Sequence, residues 1–392
     1  MRLKPSQRPA LTLAVFLMVS CVFAHAQDIS PEQQLLSAVA KMKGGDNDGA
    51  RTALQDLTHR QPNFLLAKKI YGELLSALPG GTLVDTQNDP QLDDLTEEAR
   101  LRSLAEKAVP PVGYVPNAIL QLGPEHPYFI IVDLPKARLY LMKNDKNGEM
   151  TLLRNHYTSM GRKGYGKQAT GDLRTPIGVY HITSWLSKAQ LPELYGEGAF
   201  PLNYPNVWDQ FNKRSGHGIW LHGVPKDTYV RAPRSSEGCV TMANDDLLAL
   251  KPYITTGETP VILSDALEWV QPDQVKGDRD EFLSRIEDWR SKWAKRDTAG
   301  YLSFYRKDFT TDGMNLAEFT AHKKRVNATK RFISVKLRHI NLFQYPGAGE
   351  PMMLAEFTLE YRSDNFSSTT QKQQFWRKDK DGDWKIFREE NR

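Results

Sequence analysis

A histidine and a cysteine that lie 17 positions apart are the residues of this chain best suited to chemistry. His222 stands in the run Trp-Leu-His-Gly, and Cys239 ends the run Ser-Glu-Gly-Cys. A cysteine nucleophile needs a thiolate, a base within hydrogen-bond reach, a group that orients this base, and donors for the developing oxyanion. We therefore predict that Cys239 is a nucleophile and that His222 is its general base.

Two glycines beside these residues are candidates for the supporting groups. The carbonyl of Gly223 can hold the second ring nitrogen of His222 and fix its tautomer, as the third member of a catalytic triad does. Gly238 allows a tight turn before Cys239, and its backbone amide is a natural oxyanion donor. On composition alone, a structural histidine and an inert buried cysteine are the alternative.

The first 26 residues have the layout of a secretory signal peptide. Three basic residues precede an apolar run over 10–24, and small residues follow where signal peptidase cleaves. The run is shorter than the roughly 20 residues of a spanning helix; a membrane anchor, or a lipoprotein modified at Cys21, is the alternative. Cleavage after Ala26 leaves Cys239 as the one cysteine in an oxidising compartment, which favours a chemical role for its thiol. We expect export to the periplasm.

The composition is that of a globular protein with several domains. Of the 392 residues, 40% are apolar and 25% are charged, which excludes a disordered chain and a multi-span membrane protein. The length predicts two or three domains. The formal net charge of +5 gives no reason to expect a nucleic-acid partner. No zinc-binding spacing of cysteine and histidine is visible, so we predict neither a metal nor an organic cofactor.

Residues 27–110 are predicted to form a short helical segment and a linker. Apolar residues recur at helical spacing over 31–78, and the stretch 53–67 resembles part of a tetratricopeptide repeat. The linker is predicted at 79–91 and a charged helix at 92–107. Because about three such repeats are needed for a stable array, a capping or docking segment is favoured over a long scaffold.

Residues 120–265 are predicted to form a mostly β domain. Two long irregular stretches, 161–174 and 195–215, interrupt it, and loops of that length in a compact domain usually shape a binding site. One helix is predicted over 244–250. The predicted strands are 128–133, 137–142, 152–159, 178–184, 218–222 and 259–263.

Residues 275–392 are predicted to form an α+β domain. An amphipathic helix over 279–295 is followed by four strand-like runs. The pattern resembles the SnoaL-like family, whose cone-shaped fold serves ligand binding, dimerisation and, in some members, catalysis. The resemblance is compatible with a homodimer and assigns no function by itself.

The motifs around His222 and Cys239 resemble the signature of the L,D-transpeptidase catalytic domain, the YkuD family. That signature is His-Gly, a spacer, and Ser-x-Gly-Cys-Val, which here ends at Val240. The upstream run Thr-Pro-Ile-Gly-Val-Tyr at 175–180 resembles a second family feature, a strand that lines the same cleft. The resemblance covers residues 126–265.

The resemblance implies a β-sandwich-like fold and an enzyme of peptidoglycan. Cys239 would attack the bond after the diaminopimelate of a tetrapeptide stem, release D-alanine and form a thioester. The acceptor is an amine of another stem, or the lysine of an anchored lipoprotein, in an L,D-transpeptidase; it is water in an L,D-carboxypeptidase. We predict a transpeptidase, with carboxypeptidation and amidase-like detachment of a crosslinked lipoprotein as alternatives.

Two positions depart from the commonest transpeptidase pattern. Glu237 and Thr241 stand where many members have histidine and arginine, which leaves the subtype open. The layout of a helical N-terminus, a YkuD domain and a SnoaL-like C-terminus also resembles the L,D-carboxypeptidases that set cell shape. A non-catalytic periplasmic binding protein is the rival class, and the retention of both His222 and Cys239 argues against it.

Five residues near the motifs are predicted to contact the substrate. Arg231 and Arg234 can hold a substrate carboxylate in a bidentate fork, unless they belong to a solvated basic loop. Ser236 lies in the cysteine turn. Tyr204 and Trp220 lie within or beside the long loops and can form an aromatic wall against the stem peptide or a glycan, although core packing is the alternative for Trp220.

Overall fold

The computed structural model describes residues 29–77, 90–104 and 109–391. The predicted signal peptide over 1–26, with Cys21, lies outside the described residues, and so does nearly all of the predicted linker. Within the described ranges, no helix is both long enough and apolar enough to cross a membrane.

The described part of the N-terminal region is helical, as the apolar spacing predicts. Ser30 and Asp46 cap the first two helices, because their side-chain oxygens accept hydrogen bonds from amides in the first turn. Leu35, Leu54 and Phe64 are fully buried in a small core that the helices share. The helices are α1 (Pro31–Lys43), α2 (Asn47–Arg60), α3 (Leu65–Ala77) and α4 (Pro90–Ser103).

The central region contains two main sheets, and residues of both contribute to one buried core. Ile130 and Val132 of the larger sheet belong to this core together with Leu221 of the smaller sheet. The elements are β1 (Val115–Pro116), β2 (Ile119–Gln121), β3 (Tyr128–Asp133), β4 (Arg138–Asn144), β5 (Met150–Tyr157), β6 (Met160–Gly161), β7 (Gly178–His181), β8 (Leu186–Ser187), β9 (Gly198–Pro201), α5 (Val207–Phe211), β10 (Trp220–His222), β11 (Arg234–Ser236), β12 (Val240–Thr241), α6 (Asn244–Leu250), β13 (Pro260–Ser264) and β14 (Trp269–Val270).

The larger sheet has the strand order β5-β4-β3-β13-β7, and the smaller has the order β12-β10-β9-β8. Alternate residues of β3 enter different cores: Ile130 faces the core shared by the two sheets, whereas Phe129 and Ile131 join a core that also contains Phe343 of the C-terminal region. A strand that is buried on both faces explains the unbroken apolar run in the sequence. The predicted helix over 244–250 is confirmed as α6.

The C-terminal region is a sheet with one long helix packed against it. Phe282, Ile286 and Trp289 of this helix are buried in a core shared with the sheet, which confirms the predicted amphipathic face. The helix begins at Pro272, seven residues before the predicted start, because Pro272 is well placed in a first turn. The elements are α7 (Pro272–Ala294), α8 (Thr298–Leu302), β15 (Tyr305–Thr311), β16 (Met314–Asn315), α9 (Leu316–Ala328), β17 (Ile333–Gln344), β18 (Met352–Ser363), β19 (Ser367–Lys378) and β20 (Trp384–Asn391).

The C-terminal sheet includes a strand from before the central sheets. Its order is β16-β15-β20-β19-β18-β17-β2. Strand β2 pairs antiparallel with β17, with Gln121 opposite Leu342 and Ile119 opposite Phe343. Strand β2 therefore belongs to the C-terminal sheet although it precedes the central sheets in sequence. The two regions are joined by the hydrogen bonds of this pairing as well as by the continuous chain.

Candidate active site

The strands β10 and β12 bring the two sequence motifs together. They pair in parallel, with Leu221 opposite Val240 and His222 opposite Thr241. Cys239 is the residue just before β12, so this pairing places it beside the strand that carries His222. Residues 17 positions apart in sequence thus lie on neighbouring strands at the edge of the smaller sheet.

The sulfur of Cys239 is surrounded by backbone groups of the segment that leads into β10. Its thiol donates to the carbonyl of Gly218 over 3.3 Å, and the amide of Trp220 donates to the sulfur. Burial raises the pKa of the thiol to about 11, although the Trp220 amide and the nearby cations Arg231 and Lys167 lower it. The resting group at neutral pH is therefore the thiol, and a base must remove its proton.

His222 is held as a neutral base with a defined tautomer. Its side chain is 3% exposed, and its Nδ1 lies 2.7 Å from the carbonyl oxygen of Gly223. Because a carbonyl only accepts, the proton is on Nδ1 and the basic lone pair is on Nε2. Burial lowers the pKa of His222 to about 4, although the hydrogen bond to the Gly223 carbonyl acts in the opposite direction and raises it. The structure thus places Gly223 where the sequence predicts it.

Asn244, a residue that the motifs do not indicate, braces the Gly223 turn. Its Oδ1 accepts from the amides of Glu197 (3.0 Å) and Val224 (3.2 Å), and its Nδ2 donates to the carbonyl of Val224 over 2.8 Å. A Cβ atom at Gly223 would overlap the Asn244 side chain. The first residue of α6 therefore fixes the carbonyl that orients His222, and its position at a helix start is the one sequence signal for it.

The turn before Cys239 is closed by Ser236, and its hydrogen bonds bear on the roles predicted for Gly238 and Ser236. The Gly238 amide donates to Ser236 Oγ over 3.1 Å, and Ser236 Oγ donates to the carbonyl of Cys239 over 2.6 Å. The Gly238 amide is thus used within the turn and does not point to an oxyanion. Ser236 is 2% exposed, so its side chain is used to hold the turn.

Gly238 is nevertheless required for the shape of the turn. Its φ angle is +133°, a conformation that residues with a side chain rarely adopt. A Cβ atom there would lie 2.8 Å from the carbonyl oxygen of Arg174. The carbonyl belongs to the loop 161–174, so the turn before Cys239 and this loop are in close contact.

The two predicted arginines lie in different surroundings. Arg231 is partly buried and close enough to Cys239 to lower the pKa of the thiol, and it donates to the carbonyl of Leu194 over 3.3 Å. Arg234 is exposed on β11 and, after Arg100, helps to lower the pKa of Glu97 in α4. The structure therefore brings Arg231 to the site, whereas Arg234 faces the N-terminal helices.

The aromatic residues also divide into one that lines the site and one that does not. Trp220 is partly exposed and packs on Tyr195, with ring centroids 4.8 Å apart. Tyr195 in turn meets the His222 ring edge-on at 4.9 Å. Tyr204 is 5% exposed and donates to the carbonyl of Ser215 over 3.1 Å, so its hydroxyl is used within the protein, and contact with a substrate stays a prediction. Its hydroxyl supports the long loop from inside.

The loop 161–174 is ordered around a single carboxylate. Asp172 accepts from Lys167 Nζ (2.8 Å) and from the amides of Gln168 and Ala169. Burial opposes ionisation of Asp172, but these bonds together lower its pKa to about 2. Lys167, held in this way, is one of the two cations beside Cys239.

A second concavity, of about 510 Å³, lies in the C-terminal region. The ammonium of Lys323 lies over the rings of Trp293 (4.5 Å) and Phe319 (5.1 Å). Burial lowers the pKa of Lys323 to about 8. The buried carboxylate of Glu389 is paired with Lys372 over 2.7 Å. Across the described residues, no cluster of histidine, cysteine and carboxylate side chains could hold a metal ion.

Two family models match the chain, and together they account for its central and C-terminal regions. The YkuD model, described as the L,D-transpeptidase catalytic domain, matches residues 127–263. A model described as the Cds6 C-terminal NTF2-like domain matches residues 281–390. YkuD domains act on the stem peptides of peptidoglycan. No curated relative matches the chain.

Two solved structures each match about 70% of the chain. Bd1075 of Bdellovibrio bacteriovorus is 29% identical with a TM-score of 0.62, and the match covers 71% of this chain and 98% of that one. The helical cell shape determining protein Pgp2 of Campylobacter jejuni is 25% identical with a TM-score of 0.58, covering 69% and 94%. The chain therefore combines an L,D-transpeptidase catalytic domain of the YkuD family with a C-terminal NTF2-like domain.

Proposed function

We propose that the chain is a periplasmic L,D-carboxypeptidase that trims peptidoglycan tetrapeptides to tripeptides through a thioester on Cys239. The observation that carries the proposal is the hydrogen bond between His222 Nδ1 and the Gly223 carbonyl. It leaves Nε2 of a neutral, buried imidazole available as a base, on the strand that pairs with the one directly following the protonated thiol of Cys239. That arrangement performs general-base-assisted nucleophilic attack and needs no preformed ion pair.

Acylation follows from these positions. His222 Nε2 takes the thiol proton as the sulfur attacks the carbonyl carbon of the diaminopimelate–D-alanine bond. We assign the stabilisation of the negative charge on the carbonyl oxygen to the Cys239 amide, because the Gly238 amide already donates to Ser236. The imidazolium then gives its proton to the leaving amine, so that D-alanine departs and a thioester is left.

Deacylation by water completes the cycle. His222 Nε2 takes a proton from a water molecule as its oxygen attacks the thioester carbonyl, and the sulfur leaves and regains that proton. The tripeptide carboxylate is the second product. Arg231, partly buried beside Cys239, is suited to hold a carboxylate of the stem peptide during both steps.

The burial of the base supports water as the acceptor. His222 is 3% exposed, and the ring of Tyr195 packs against both His222 and Trp220 of the same strand. An acceptor must reach both Nε2 and the thioester, and a small molecule fits beneath this cover more readily than the side chain of a second stem. The layout also resembles that of the L,D-carboxypeptidases that set cell shape, and one solved structure that the chain matches is described as a helical cell shape determining protein.

Transpeptidation is the second candidate, because the matched family model is described as an L,D-transpeptidase catalytic domain. An amine acceptor would replace water in the same thioester step. The lysine of an anchored lipoprotein is one such amine. Hydrolysis that detaches a crosslinked lipoprotein from the stem peptide is a related reaction of the same site.

The deciding experiment uses residues 27–392 and its Cys239→Ala variant with disaccharide-tetrapeptide from diaminopimelate-type peptidoglycan, with products followed by mass spectrometry. We expect tripeptide and free D-alanine from the wild type alone. Dimers crosslinked between diaminopimelates would replace this proposal with transpeptidation. Equal behaviour of both proteins, on lipoprotein-linked peptidoglycan as well, would favour a binding protein.

Export is tested separately by fractionating cells that express the full chain and one that lacks residues 1–26. We expect the full chain in the periplasm with Gln27 as its first residue, and the shortened chain in the cytoplasm. Recovery of the full chain in the membrane with residues 1–26 still attached would favour an anchor.

A further inference from the structure

The N-terminal helices contact the loop 225–233, which leads from His222 to the turn before Cys239. Asn63, between α2 and α3, donates from its side-chain Nδ2 to the carbonyl of Lys226 over 2.8 Å, and its backbone carbonyl accepts from the amide of Tyr229 over 3.3 Å. Phe64 is fully buried, and its ring lies 4.4 Å from that of Tyr229. One interhelical turn therefore holds the loop at two points.

A buried ionic network fixes these helices against the central domain. Glu32 of α1 accepts from Arg102 of α4 and from Arg138 of β4, each over 2.7 Å. Glu98 accepts from Arg102 over 2.8 Å. Arg102 and Arg138 are 3% and 2% exposed. Because removing one partner leaves a buried charge unpaired, the network favours one position of the helices over others.

The same network reaches the backbone of Arg231. The guanidinium of Arg102 lies 4.0 Å from the ring centre of Tyr157, and the Tyr157 hydroxyl donates to the carbonyl of Arg231 over 3.2 Å. The side chain of Arg231 continues toward the site, where it donates to Leu194 and lies near Cys239. Arg231 is thus tied at its backbone by residues outside the cleft.

The contact with Leu194 extends this support to the base. Leu194 precedes Tyr195, whose ring meets the His222 ring edge-on at 4.9 Å. A displacement of the loop 225–233 would therefore move a cation away from the nucleophile and also loosen the cover over the base.

We propose that Asn63 and Phe64 are positioning residues for catalysis, because they hold the loop 225–233 and through it keep Arg231 beside Cys239 and Tyr195 over His222. The inference rests on the proposed function only in that Cys239 is the nucleophile. It makes the N-terminal helices part of the active-site support.

The charge of Arg231 provides a readout that a purely structural role would not change. The groups whose charges act on the thiol are the cations Arg231 and Lys167, which favour the thiolate, and Glu237, which disfavours it. Tyr195 also lies near the thiol. A loop that no longer fixes Arg231 raises the pKa of Cys239 and lowers the thiolate fraction at a given pH.

The test measures alkylation of Cys239 by iodoacetamide between pH 7 and 11 in residues 27–392, where it is the one cysteine. Asn63→Ala and Phe64→Ala are compared with Arg231→Gln, and Leu54→Ala is the matched control, because Leu54 is buried in the same helical core but lies within α2. We expect Asn63→Ala, Phe64→Ala and Arg231→Gln to slow alkylation at pH 8 by about three- to tenfold. This corresponds to a rise of about half to one unit in the pKa of the Cys239 thiol. Leu54→Ala should stay within about twofold.

Two results would overturn the inference. One is wild-type alkylation in both Asn63→Ala and Phe64→Ala; the other is an equal slowing in Leu54→Ala, which would indicate general destabilisation. Circular dichroism checks that each variant is folded, and Asn63→Ala, which removes one side-chain hydrogen bond, keeps the test valid if Phe64→Ala unfolds. Alkylation needs no peptidoglycan, so this outcome is independent of which reaction the enzyme catalyses.

Discussion

The candidate active site and the C-terminal pocket both hold ionisable groups with shifted pKa values, but the groups that surround them are of different kinds. In the cleft, backbone groups act on the reactive atoms: the Gly218 carbonyl and the Trp220 amide contact the sulfur, and the Gly223 carbonyl fixes His222. In the pocket, side chains do this, since aromatic rings surround Lys323.

The difference explains why one site has a sequence motif and the other does not. Backbone groups reach a side chain only where strands pair closely and where glycine allows the turn, so residue spacing and glycines are constrained. Lys323 lies on α9, Trp293 on α7 and Glu389 on β20, and each can be packed in many ways. A site built from side chains on distant elements leaves no short pattern.

The largest expected effect separates the base from a neighbouring histidine. His222→Ala removes the general base, and we expect kcat/KM on disaccharide-tetrapeptide to fall by about 10²- to 10⁴-fold. His217→Ala changes an exposed histidine in the same segment and should stay within about twofold. A comparable loss in His217→Ala would mean that the assignment of the base is incorrect.

The second effect tests whether backbone shape, rather than a side chain, positions the nucleophile. Gly238→Ala combines a strained φ of +133° with a contact of 2.8 Å to the Arg174 carbonyl, and we expect about a 10- to 100-fold loss of kcat/KM. Gly148→Ala has a similarly unfavourable φ of +80° but open space around its Cβ. It should cost about 1 kcal/mol of unfolding free energy and leave kinetics unchanged, as measured by urea unfolding and steady-state rates.

The sequence predicts most of the elements, and the hydrogen bond of His222 to the Gly223 carbonyl, because these depend on local patterns. Apolar alternation and turn residues locate the strands, and His222, Cys239 and Gly223 occupy the predicted positions. It does not predict that β2 joins the C-terminal sheet, since Ile119–Gln121 is too short to show a period. The burial of Tyr204 and the use of the Gly238 amide by Ser236 depend on tertiary packing, which local residue types do not determine.

Asn244 tests a contact that no motif indicates. Asn244→Ala removes three hydrogen bonds around the Gly223 turn, so that the carbonyl orienting His222 is less well fixed. We expect kcat to fall about tenfold with KM nearly unchanged, because the bonds act on the base and not on substrate binding. Asp245→Ala, at the next and exposed position of α6, serves as the control. A rise in KM with unchanged kcat would instead place Asn244 in substrate binding.

Substitution of Lys323 in the C-terminal pocket is expected to have the smallest effect on activity. It is expected to change the pH dependence of stability instead. Burial lowers the pKa of Lys323 from an ordinary value of 10.5 to about 8, so between these values the unfolded chain holds a proton that the folded chain has lost. The free energy of unfolding therefore gains a contribution that rises with pH from 8 to 10.5, on the order of 3 kcal/mol. Lys323→Met should abolish this rise in urea unfolding, whereas Lys324→Met, at the exposed neighbouring position, should preserve it. Neither variant should change kcat/KM on disaccharide-tetrapeptide, and a tenfold loss in Lys323→Met alone would show that the two sites are coupled.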